Sequence, residues 1–211
     1  KPYMSGKFEE RGMDADEVQD AMEKRIYHHN ESGEGRILEL DGKNVNAFQL
    51  IELETGEYVD HLPDKVAELM PEEYRSGRRI VIREIVGASP RMVIAAETDM
   101  AFVHDPAIIM IRPKEGHEDL YEILELYLNS KTTENHVKYI SAKAGKGLFA
   151  KFTIGEIRRL PIPRKENITQ EILAQAAEII AELKRGDEPS EEALEKADDF
   201  IATLYPSDEE E

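Results

Sequence analysis

Apolar residues follow two different rhythms along this chain. Between residues 36 and 111 they come in short, β-branched runs: Ile37-Leu38 with Leu40, Phe48 with Leu50, Ile51 and Leu53, Tyr58-Val59, Ile80-Val81-Ile82, Met92-Val93-Ile94-Ala95, Ala101-Phe102-Val103 and Ala107 to Ile111. Asp41-Gly42, Glu54-Thr55-Gly56-Glu57, Gly87, Pro90, Asp99 and Pro106 punctuate them. Short runs of this kind between turn residues predict strands, mostly antiparallel. A short helix is expected over Pro63–Met70.

From residue 118 the spacing changes to threes and fours. Leu120, Ile123, Leu124, Tyr127 and Leu128 give one buried stripe on a helix over Glu118–Asn129, with Glu118 and Asp119 placed where acids suit the helix dipole. Ile168, Ile172, Leu173, Ala176, Ile179, Ile180 and Leu183 line a second helix, which Gly186-Asp187-Glu188-Pro189 breaks. Ser190 caps a third, with Glu191 and Glu192 in its first turn and Ala193, Leu194, Ala197, Phe200, Ile201 and Leu204 on its inner side. Upstream, Asp14 to Tyr27 has helical spacing. Residues 131–147 read as polar and basic, Leu148 to Phe152 leads on to Ile154, Ile157 and Leu160, and Pro161-Ile162-Pro163 closes the globular part. The expected fold is α+β: a mostly antiparallel sheet or partly closed barrel with a packed helix, followed by a C-terminal helical hairpin. Residues 1–35 are expected to be a connector to upstream sequence, 36–165 the main domain, 166–205 the hairpin and 206–211 an acidic tail. The chain opens on Lys1, which adds to the expectation of a longer parent protein.

Composition narrows the chemistry. Of 211 residues, 40% are hydrophobic and 34% charged, enough apolar material for a packed core. Cysteine is absent, which excludes disulfides, thiolate zinc sites and cysteine nucleophiles. No apolar run approaches the ~20 residues of a membrane span, and no secretory signal opens the chain, so a cytoplasmic location is expected. His28 and His29 are adjacent and cannot share a metal as an i, i+4 pair does, so no metal site is expected. Gly145-Lys146-Gly147 lacks the rest of a phosphate-binding loop, and Gly33 and Gly35 follow a helical segment rather than a strand.

A net charge of −18 opposes phosphate, but the charge is unevenly spread. Residues 75–91 hold 5 basic and 1 acidic groups, net +4. Residues 131–165 hold 9 and 2, net +7, and residues 186–211 hold 1 and 11, net −10. Screening over roughly 8 Å at physiological salt lets such islands act locally. The first island supplies Arg78, Arg79, Arg83 and Arg91; the second supplies Lys131, Lys138, Lys143, Lys146 and Lys151. Arg79, Val81 and Arg83 alternate onto one face of a strand. Thr132, Thr133, Asn135, Tyr139 and Ser141 interleave with the second island, the mixture of cations, hydroxyls and amides that a base-reading loop needs. The competing reading of each cation is a solvated charge that balances a neighbouring acid.

Several phrases occur in an order that resembles the TaqI-like C-terminal specificity domain of adenine-specific DNA methyltransferases and restriction-modification enzymes. They are Leu40-Asp41-Gly42-Lys43-Asn44-Val45; Arg79-Ile80-Val81-Ile82-Arg83-Glu84; Ile123 to Leu128 with Asn129-Ser130-Lys131; and Gly147 to Phe152 running to Leu160-Pro161-Ile162-Pro163. Ala193 to Tyr205 is similar to the helix that often closes these proteins. The resemblance covers roughly residues 36–205. It implies a target-recognition domain that holds double-stranded DNA while a separate domain binds S-adenosylmethionine and takes the adenine out of the helix. It adds Lys43 and Asn44 to the candidate DNA contacts. Neither an Asn-Pro-Pro-aromatic motif nor a cofactor glycine loop occurs here, so no cofactor and no catalytic residue are expected in this chain, which would be a non-catalytic piece of a methyltransferase. The rival reading is a protein–protein module that docks a partner subunit through the acidic hairpin.

Overall fold

The computed structural model describes residues 28–51, 57–60, 76–86, 91–104, 107–140, 152–186 and 188–205. The helices expected over 14–27 and 63–70, and the run 148–151, lie outside these residues.

The architecture is α+β. Strand β6 (Arg79–Arg83) forms the middle of a three-stranded antiparallel sheet, between β7 (Ala95–Thr98) and β9 (Ile108–Ile111). Val81 lies opposite Ala96 on one side and Met110 on the other. Both faces of this sheet are covered, which is why β6 reads as an unbroken apolar run rather than an alternation. Ile80, Ile82, Ala95 and Ile109 face one core; Val81, Ala96 and Ile108 face a second.

The second core is closed by a four-stranded sheet of order β1-β5-β2-β8, made of His28–His29, Glu57–Asp60, Arg36–Leu40 and Val103–His104. Its β2–β8 pairing is parallel and the others antiparallel. Leu38, Leu40 and Phe102 enter this core. Strands β3 (Val45–Asn46) and β4 (Gln49–Leu50) make a small separate hairpin. Phe48 turns it with φ 68, a costly value for a side chain of this size. Its amide donates to the Ala95 carbonyl (2.9 Å) and its ring is buried in the first core, which offsets the strain. Among the described residues the strands form three separate sheets and no closed barrel. The central sheet is apolar on both sides, so it is sandwiched between layers instead of closing on itself.

Helices cover the first core. They are α1 (Tyr121–Leu128), preceded by a 3-10 turn at Glu118–Leu120; α2 (Lys131–Ile140); the single turn α3 (Ile154–Ile157); and the pair α4 (Gln170–Leu183) and α5 (Glu191–Thr203). Thr169 and Ser190 cap α4 and α5 as their sequences require. Helix α1 lies between the sheet and the α4–α5 hairpin, so the single stripe expected of it is exceeded. Tyr121 and every residue from Ile123 to Leu128 are buried. Ala176, Ile179, Leu183, Ala197, Phe200 and Ile201 of the hairpin share one cluster with α1 and β6.

Burial on all sides forces α1 to satisfy its polar groups internally. Asn129, at its C-terminal end, is the main device. Its Oδ1 accepts from the Ala95 amide (3.0 Å), and its Nδ2 donates to the Ala95 carbonyl and the Glu125 carbonyl, each at 2.9 Å. The side-chain amide thus stands in for one more strand residue beside β7 while ending the helix. Ser130 then starts α2: its hydroxyl donates to the Tyr127 carbonyl (2.7 Å) and accepts from the Thr133 amide (3.2 Å). The Lys131 amide donates to Asp198 of α5 (2.9 Å).

Glu125 is fully buried. Its Oε1 accepts from the Glu97 amide (2.7 Å), and Lys184 of α4 lies 2.9 Å from Oε2. Burial pushes this carboxyl above its ordinary range, and Lys184 only partly pulls it back.

Two outcomes follow. Asn129→Ala strands the buried amide of Ala95 and leaves its carbonyl only the Phe48 amide, and is expected to cost about 3 kcal/mol; Asn129→Asp keeps the acceptor but turns a carboxylate oxygen toward the Ala95 and Glu125 carbonyls and should cost at least as much; urea unfolding reads both. Because the folded state holds the Glu125 proton more tightly than the unfolded state, this group favours folding at low pH, and that contribution is lost as pH rises from the ordinary carboxylate range through its folded pKa. The stability of the native chain relative to Glu125→Gln should therefore fall across that window, read as a shift in urea midpoint with pH.

Candidate nucleic-acid interface

The sequence-predicted cations separate into structural and surface groups. Strand β6 begins with Arg79, ends with Arg83 and is directly preceded by Arg78. At its start, Arg79 is completely buried, donating to the carbonyls of Gly77 (2.8 Å) and Met100 (2.7 Å), with its guanidinium 4.5 Å from the centre of the Phe102 ring. Burial, and secondarily the charge of Arg112, lowers its pKa to about 10, which still leaves it protonated at neutral pH. This corrects the place of Arg79 among the candidate DNA contacts: Met100 and Phe102, on the connection after β7, bury it, while Arg83 on the same strand stays partly open.

Arg78 is more exposed but engaged. It bonds Glu97 (2.8 Å) and Glu122 (2.5 Å) and lies 4.4 Å over the Tyr121 ring, whose hydroxyl donates to the Arg78 carbonyl (2.5 Å). Burial by itself raises the Glu97 carboxyl, yet Arg78 and Lys184 outweigh it and hold Glu97 below its ordinary value. Arg78 therefore pins the start of α1 to the sheet. Arg112 joins this end by bonding the Ser76 carbonyl. It was not among the candidates because it follows a strand in an acidic stretch, with no charge pattern to single it out.

The other end of β6 gathers a different set. The Arg83 side chain is half-buried and donates to the Ile85 carbonyl (2.8 Å). The Arg83 amide donates to Ile94 (2.9 Å), which brings in the strand-ward end of the segment headed by Arg91. Arg91 bonds the Asn129 carbonyl. The Phe152 amide donates to the Glu84 carbonyl (2.7 Å), so the segment 141–151, with Lys143, Lys146 and Lys151, rejoins the described residues beside Arg83. Those three lysines lie outside the described residues.

The turn bearing Lys43 packs here too. A Cβ on Gly42 would come within 3.3 Å of Ala107 and 3.5 Å of the Arg83 side chain, so glycine permits the close approach. Asp41 caps the turn and Asn44 returns the bond, its Oδ1 accepting from the Asp41 amide (2.9 Å) while its Nδ2 donates to the Ile51 carbonyl (3.0 Å). Asn44 is buried by this work and is not displayed, which corrects its place among the surface candidates. Lys43 is exposed, 3.0 Å from Asp41.

Residues 131–140 also differ from expectation. They form helix α2 rather than a polar loop, because Thr133 and Val137 supply a buried stripe that Ile140 extends. Lys131 sits 3.4 Å from Asp198. Lys138 is exposed on the last turn. Among the described residues no three histidine or acidic side chains are placed to hold a metal ion, and no helix is long and apolar enough to cross a membrane.

The chain belongs to the family of the TaqI-like C-terminal specificity domain, whose match covers residues 38–162. A search of the curated proteins found no match. Family membership makes the chain a DNA-recognition module of a methyltransferase-type system.

The phrases that resemble this family are mostly structural joints. Asp41 to Asn44 is a capped turn, Asn129 to Lys131 is the helix–sheet junction, and Pro161 accepts a hydrogen bond from the Tyr205 hydroxyl (2.7 Å). Tyr205 in turn stacks on Tyr127, with ring centres 5.5 Å apart, so the closing helix is tied into the matched region.

Arg79→Ala should destabilise the fold by about 3 kcal/mol, since it leaves two carbonyls and the Phe102 face without their cation, whereas Arg83→Ala should stay within about 1 kcal/mol. Comparing urea midpoints separates the structural arginine from the surface one.

Proposed function

We propose that this chain is the target-recognition part of an adenine-specific DNA methyltransferase of a restriction-modification system. In this reading it grips duplex DNA with Arg83, Arg91 and Lys43, and with Lys143, Lys146 and Lys151 of the segment that leads to Phe152. Lys138 extends the grip from α2. Arg78, Arg79, Lys131 and Asn44 support the scaffold. The approach of the turn bearing Lys43 to the Arg83 side chain at that end supports the reading, because a phosphate backbone needs several cations on one surface. Chain acidity does not by itself oppose this: charges more than roughly 8 Å apart are largely screened in physiological salt.

A separate methyltransferase domain or subunit is the partner in this reading. It would hold S-adenosylmethionine and perform methyl transfer in the cytoplasm, while the present chain supplies register on the DNA and reading of the flanking bases.

The test is DNA binding over a salt series. The slope of log K against log salt is expected to become shallower by about 0.9 for each phosphate-contacting cation removed. Lys143→Ala with Lys146→Ala, and separately Arg83→Ala, should each show that change with the fold intact. An unchanged slope in all of them would remove this surface from the DNA. The sequence selected from a random duplex pool should also match a motif that carries N6-methyladenine in the host genome.

A further inference from the structure

A helix presents only one face, so the folding of residues 131–140 selects which groups of the second basic island reach solvent. Thr133 and Val137 are buried, while Lys131, Asn135, Lys138 and Tyr139 form the exposed stripe at positions i, i+4, i+7 and i+8. The two ends of that stripe differ. Near its start, Lys131, Thr132 and Asn135 form one wall of a groove whose other wall carries Glu195, Asp198 and Asp199 of α5. Carboxylates there repel phosphate, and Lys131 is already held by Asp198.

The last turn is free of that wall. Lys138 points to solvent and Tyr139 is 92% exposed, far more than Ile85, Ile154 or Ile162, the other large hydrophobic side chains in the open. A phenol ring at that exposure contributes no burial to the fold. It stands next to one cation and immediately precedes, in sequence, the segment that carries Lys143 and Lys146.

We infer that the last turn of α2 is a nucleotide-contacting tip, with the Tyr139 ring packed against a base or sugar of duplex DNA and Lys138 paired to a flanking phosphate. The inference rests on the DNA-recognition reading above and adds to it a specific residue and its mode of contact. An aromatic ring offers a large contact at little conformational cost, and every nucleotide has an apolar surface to receive it. Lys138 also offsets the partial negative charge of the carbonyls at the helix end, which by itself disfavours phosphate.

Fluorescence anisotropy of the full 211-residue chain on a duplex selected from a random pool tests the tip. Tyr139→Ala is expected to weaken binding about tenfold with an unchanged salt slope, the size expected of one lost ring contact. Tyr139→Phe should keep most of the affinity, and Lys138→Ala should lower the slope by about 0.9. Thermal melting should be the same for all three, since neither side chain is buried. If Tyr139→Ala binds and selects DNA like the native chain while Arg83→Ala weakens binding, the tip is overturned and the broader reading stands. That result includes the case in which Tyr139 faces the methyltransferase domain instead. If the native chain binds no duplex at any salt concentration, both are overturned.

Discussion

The contact between Asn129 and Ala95 governs much of this structure. A helix buried on every side has nowhere to send its terminal carbonyls, and a sheet edge beneath it has an amide and a carbonyl facing inward. One side-chain amide answers both needs, because it carries a donor and an acceptor in the spacing of a peptide group. The geometry leaves little slack: moving α1 along the sheet breaks both bonds together. Ser130 and the Lys131 amide extend the same joint to α2 and α5, so the helical layer is registered to the strands from one short stretch of chain.

Charge is used in two ways. Within the body, cations and carboxylates are matched one against another: Arg78 with Glu97 and Glu122, Lys184 with Glu97 and Glu125, Lys131 with Asp198. These pairs tie helices to strands and to one another. Of these partners Glu125 is buried, where a charge is costly to remove from water; Arg78 and Lys131 are exposed, so their pairs add little net stability and mainly fix how the elements meet. At the far end of β6, by contrast, the turn that bears Lys43 packs against the Arg83 side chain, and two cations lie on neighbouring connections.

The hairpin α4–α5 lies beyond the residues matched by the specificity-domain family, yet Ile179, Leu183, Phe200 and Ile201 complete the core over α1. Without it, the outer side of α1, including Glu125, would meet water. The matched region and the hairpin thus depend on each other physically: the family phrases at 123–131 make the joint, and the hairpin keeps it dry.

What the amino-acid order determined by itself were the features set by local spacing: the β-branched run of β6, the helical periods of α1, α4 and α5, the cap at Ser190, and the ordered phrases of the family. Each of these is written in neighbours a few residues apart, so periodicity and capping chemistry reveal it. The helical nature of α2 was hidden because its buried stripe begins with a threonine among polar residues. The roles of the arginines were hidden for a different reason. Arg79 and Arg83 look equivalent on one strand face, and only the tertiary structure decided that the connection bearing Met100 and Phe102 covers one and leaves the other partly open. Burial depends on what distant segments supply, such as Phe102 over Arg79 or Lys184 beside Glu125, and no local pattern records that.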